Sequence, residues 1–146
     1  MQTVILAVII GLTGGVAVGL QAPLTSLMSQ RIGTLESIFI IHFGGAVLTM
    51  VLLLTIGGGN LGSWRNVPWY ALGAGSLGLV ILAAISYTIP RLGVATTVTL
   101  VVTAQFLVAA LLDNFGALGT SVRPVDLSRL IGMAVLFLGT WLMVRS

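Results

Sequence analysis

Of 146 residues, 58% are hydrophobic and 6% are charged, where a soluble domain carries roughly 25% charged residues. A water-soluble globular fold is excluded, because a chain this short leaves much of its surface in water and has nowhere to hide so much apolar area. The net charge of +3 comes from six arginines against three acids. The arginines are scattered one or two per loop and form no stripe, which excludes a nucleic-acid interface. Absent cysteine excludes disulfides, thiolate metal sites and cysteine nucleophiles.

Five apolar stretches follow in chain order: about Thr3 to Met28, Ile38 to Ile56, Trp69 to Ile89, Val94 to Leu112 and Leu127 to Val144. They suit the span of about 17–25 residues that a membrane helix requires, though the first is long and the last short. The expectation is an all-α membrane protein with five transmembrane helices, forming one membrane domain over residues 1–146. No positive charge precedes the first stretch, and it is uncharged up to Gln30. It therefore reads as a permanent helix and not as a cleaved signal. Pro23 predicts a kink or a helix end within it.

The breaks are punctuated accordingly. Gly57-Gly58-Gly59-Asn60 ends the second stretch, and Trp64, Pro68, Trp69 and Tyr70 form an aromatic cluster of the kind found at membrane interfaces. Pro90-Arg91-Leu92-Gly93 is short enough to require a helical hairpin. In the longest break, Asp126 is placed to cap the last helix, with Arg129 snorkelling to the headgroups. Gly11, Gly15 and Gly19 form a doubled G-x-x-x-G, read chiefly as bundle packing. No internal repeat is evident.

With five spans, Arg65, Arg123 and Arg129 fall on the side of the N-terminus, while Arg31, Arg91 and Arg145 fall on the other. The positive-inside rule orients a chain by an excess of Lys and Arg, and here the excess is zero. The expectation is dual topology with two copies paired antiparallel. Position outweighing number, through Arg31 close behind the first span, is the competing reading.

Polar side chains within spans are costly and tend to face a cavity or the bundle interior. Gln21 and Thr25 share a face. His42, the one histidine, is of the type whose ionisation falls near neutral pH, and it would carry any proton coupling. Thr96, Thr99 and Thr103 make a stripe with Gln105 nearby. Gln21, Thr25, His42 and Gln105 are the expected lining of a shared substrate cavity. The plainer alternatives are threonines bonded to their own backbone, an interhelical hydrogen bond for Gln105, interfacial solvation for Gln21 and Thr25, and a structural His42. No nucleophile elbow, metal-ligand cluster, carboxylate pair or phosphate-binding loop is present, so neither an enzyme nor ATP-driven transport by this chain is expected. No cofactor is expected.

Several segments resemble the YdcZ family, a short branch of the drug/metabolite transporter superfamily. They are Gly19-Leu-Gln-Ala-Pro-Leu-Thr-Ser-Leu27, Pro90-Arg-Leu-Gly-Val-Ala-Thr-Thr97, Ala104-Gln105 and Leu111-Leu-Asp-Asn-Phe-Gly116, together with Pro68-Trp69. The likeness covers nearly the whole chain. Thr25 stands where the family often has Asn, and His42 where it often has a small polar residue or Asn. The resemblance implies a five-helix half-transporter in the bacterial inner membrane. It does not imply which small molecule is moved. Related small multidrug-resistance exporters rely on a carboxylate within the first span, and this chain has none there. The expected partners are the lipid bilayer, an undefined small-molecule substrate, and a second copy or a related five-span chain. A non-transporting subunit of a larger transporter, channel or lipid-handling complex is the alternative function.

Overall fold

A lipid environment offers the backbone no hydrogen-bonding partners, so an apolar chain must satisfy its peptide groups internally, and helices do so. The computed structural model describes residues 2–145, and the chain divides between Thr88 and Ile89 into two compact units. Five helical segments are long and apolar enough to cross a membrane, and no strand occurs among the described residues.

In the first unit, α1 (Gln2–Ile32) and α2 (Thr34–Thr55) are separated by Gly33 alone. Sequence placed a break from residue 29 to residue 37. The helices instead run on through those polar residues, because their side chains are satisfied locally. Ser29 Oγ pairs with Thr34 Oγ1 at 2.8 Å. Gln30 Nε2 donates to Ser26 Oγ at 3.1 Å, and Ser37 Oγ donates to the Thr34 carbonyl at 2.9 Å. Gly33 turns the chain at φ 103° and ψ 155°, a region open essentially to glycine alone. α1 also passes through Pro23 without ending, which leaves the Gly19 carbonyl without its intrahelical donor.

Beyond α2 comes a 3-10 turn, Leu61–Asn66, then α3 (Trp69–Leu72) and α4 (Ala74–Leu92). Gly73 between them is close to helical, at φ −76° and ψ −4°, so Trp69–Leu92 acts as one span of 24 residues. The aromatic cluster is exposed. Trp69 and Tyr70 meet edge to face at 6.1 Å, and the Arg65 guanidinium lies 5.6 Å from the Trp64 ring centroid. Pro90, expected in a break, is inside the last turns of α4.

Gly93, at φ 80° and ψ 167°, leads directly from α4 into α5 (Val94–Phe115). The two single-glycine turns match in detail. Gly33 N–H bonds the Ser29 carbonyl and Ser37 N–H the Gly33 carbonyl; Gly93 N–H bonds Ile89 and Thr97 N–H bonds Gly93 in the same way. Arg31 and Arg91 each precede their glycine by two residues. Ala22, Thr25 and Ser26 are buried before the first turn, and Leu82, Ile85 and Ser86 before the second. A local repeat, invisible as identity, is therefore written in burial register.

In the second unit α5 packs on α6 (Leu127–Arg145) through the threonine stripe. Thr103 Oγ1 and Thr140 Oγ1 lie 2.6 Å apart and are buried, and Thr96 Oγ1 donates to the Met143 carbonyl at 3.2 Å. The stripe thus holds helices together, while Thr99 bonds back to Ala95. Asp126 caps α6 as expected, with Arg129 N–H donating to its Oδ1 at 2.8 Å. Arg129 is engaged within the protein: its guanidinium donates to the Arg123 carbonyl at 3.1 Å and lies 3.6 Å from Asp113 Oδ2.

Candidate membrane cavity

The extension of α1 to Ile32 changes the depth of its polar residues. At about 1.5 Å per residue, Gln21 lies roughly 17 Å from Ile32, near the middle of a hydrocarbon core about 30 Å thick. On α2, His42 lies roughly 12 Å in from Thr34. Both side chains are exposed on the surface of their helices.

Gln21 and His42 line one cavity of about 460 Å³, which also receives Thr49, Gly45 and Gly78 among apolar Ile41, Ile81 and Leu82. Gln21 lines a second cavity of about 400 Å³ with Thr25, again beside Ile41. The two therefore share Gln21 and Ile41 on their walls. These volumes fall within the range of small-molecule sites, which are mostly apolar with a few placed polar groups.

The imidazole of His42 is fixed by a hydrogen bond. Nδ1 lies 2.9 Å from the Ile38 carbonyl, and a carbonyl only accepts, so Nδ1 carries the proton. Nε2 is left as the nitrogen available to a ligand. It lies against α4 at Gly78, where a Cβ would come within 2.7 Å of it. Gly78 thus gives the ring its seat. Thr49 stands about two turns along α2 from His42 and donates to the Gly45 carbonyl at 2.8 Å. Thr25 is fully buried and its hydroxyl donates to the Gln21 carbonyl at 2.8 Å, so its polar atom is committed to α1.

Gln21, Thr25 and His42 all stand in the first unit, and Gln21 is common to both walls. Gln105 stands on α5 in the second unit and lines neither cavity. Sequence reasoning missed Thr49, which was legible in principle, because His42, Gly45 and Thr49 recur at helical spacing on one face. The glycines of the third span, Gly78 among them, read from sequence as places of close approach, but nothing in the spacing points to His42 as the neighbour, since it is far away in sequence. Among the described residues no group of acids, histidines or cysteines is placed to hold a metal.

No curated protein matches the chain, nor does any solved structure. Residues 6–142 match the family described as "Putative inner membrane exporter, YdcZ". With five apolar spans, this is an integral protein of the inner membrane, and the chain belongs to the YdcZ family.

Proposed function

We propose that this chain is half of a secondary transporter, which pairs antiparallel with a second copy and moves a small amphipathic molecule by alternating access. The observation that supports the reading is the cavity of about 460 Å³, whose walls join Gln21 and His42 to apolar side chains, with His42 Nδ1 engaged by the Ile38 carbonyl and Nε2 left for a ligand. Transporters commonly bind substrate near the bilayer midplane between repeats of opposite orientation. A five-span chain without an inverted repeat obtains that symmetry by pairing, and balanced loop arginines permit both insertions. His42 is the proposed carrier of any proton coupling, because no carboxylate falls within a span at that depth.

The test is flux into liposomes holding only this protein, using a panel of labelled neutral and weakly basic amphipathic molecules under an imposed pH gradient. The expected result is uptake of at least one probe above protein-free vesicles, with proton-driven accumulation lost in His42→Asn and binding weakened in Gln21→Ala. Folded protein inert towards the whole panel would favour the alternative of a non-transporting subunit. That alternative draws on the scarcity of ionisable groups in the spans. Proton-driven accumulation that persists in His42→Asn would remove His42 from the coupling role.

A further inference from the structure

Gln105 is the twelfth residue of the 22-residue α5, so it lies at the centre of the helix, about 16 Å from either end. Its side chain is exposed and has no hydrogen-bond partner within the second unit. An unsatisfied carboxamide facing hydrocarbon at this depth is unfavourable. α5 meets α6 through Thr96 and Thr103, and Gln105 projects from a different face. That face continues through Val98, Val102 and Ala109 at helical spacing. Val102 and Ala109 are exposed and Val98 is half-buried.

We propose that this face of α5 is the seam against a second, oppositely inserted copy of the chain, with the two Gln105 carboxamides hydrogen-bonded across the two-fold axis. The inference rests on the antiparallel pairing proposed above and identifies where it occurs. The symmetry argument is direct. A two-fold axis relating copies of opposite orientation lies in the membrane midplane, so it carries each depth into its mirror depth. Only a residue at mid-depth can meet its own counterpart. Gln105 occupies that level on α5, and a carboxamide offers both a donor and an acceptor, so two of them complement each other. The small and β-branched neighbours allow the helices to approach closely. Along such a seam each residue opposes the one equally far beyond Gln105; Val101 and Ala109, four residues before and after Gln105 on its stripe, therefore face each other.

The natural absence of cysteine makes this testable in native membranes. Gln105→Cys is expected to form a disulfide-linked dimer on mild oxidation. A mixture of Val101→Cys and Ala109→Cys chains is expected to cross-link severalfold more than either chain alone, and it leaves Gln105 in place should its replacement disturb folding. Self-linking at 101 and at 109 as strong as the mixed pair would mean a parallel seam and overturn the proposal. No linking at any position would overturn it too. In that case, labelling of Ser146→Cys from both membrane faces would leave the antiparallel reading standing with its seam elsewhere. Labelling from one face alone would remove both.

Discussion

His42 and Gly78 form a pair in which one residue's chemistry depends on the other's lack of a side chain. A methyl group at position 78 would press on Nε2 at 2.7 Å, and the ring is held from its other nitrogen by Ile38. Gly78→Ala is expected to destabilise by about 1 kcal/mol, the low end for overpacking, because the ring can swing away. The cost should largely vanish in a His42→Ala background, as a double-mutant cycle of thermal unfolding would show. Equal costs in both backgrounds would mean that the contact is not felt. The buried serines make a second contrast. Ser86 Oγ is buried without a hydrogen-bond partner among the described residues, whereas Ser26 Oγ accepts from Gln30. Ser86→Ala should be neutral or stabilising, while Ser26→Ala should cost about 0.5–1.5 kcal/mol; the same unfolding assay ranks them.

At the scale of elements, the two single-glycine turns have strict backbone requirements. Both adopt a conformation that costs other residues about 1–3 kcal/mol. At Gly93 a Cβ would meet nothing, while at Gly33 it would also collide with the Glu36 carboxylate. Gly33→Ala and Gly93→Ala are each expected to lower stability by that backbone amount, with little added at position 33 because the carboxylate end can move. A drop confined to Gly33→Ala would assign the effect to the side chain. Five spans were legible from apolar run length, since lipid leaves an uninterrupted apolar stretch no other structure. The cap at Asp126 was legible because a carboxylate after a proline meets the exposed N–H groups of a helix start. The turn at Gly33 was not. Ser29, Gln30, Thr34 and Ser37 look like a loop in composition, and only their mutual hydrogen bonds show that they stay helical. Thr103 was visible as one of a stripe, but its partner Thr140 is on another helix and no spacing rule connects them.

For the whole molecule the open variable is orientation, and the structure shows how the six arginines are used. Arg31, Arg91 and Arg145 each lie in the last turn of a helix, where a cation complements the helix dipole. Arg145 also stacks on Trp141 at 4.1 Å. On the other side Arg129 is held beside Asp113. Such a half-exposed pair contributes little stability, about 0.2–1 kcal/mol. Acids count little in the positive-inside rule, so three arginines still oppose three. A chain balanced in this way should be tipped by one charge, and in a predictable direction. With a cysteine at Ser146 and a membrane-impermeant thiol reagent, intact cells should label part of the protein and opened cells the rest. Arg31→Gln leaves two arginines beside the C-terminus against three opposite. The three-arginine side then stays cytoplasmic, and external labelling of position 146 should rise. Arg65→Gln reverses the imbalance, and external labelling should fall. Both shifts are required by a balanced topology. A labelling fraction that neither substitution moves would mean that one orientation is fixed by the placement of Arg31 or by the hairpins themselves, and the opposite member of the pair would then have to be a related chain.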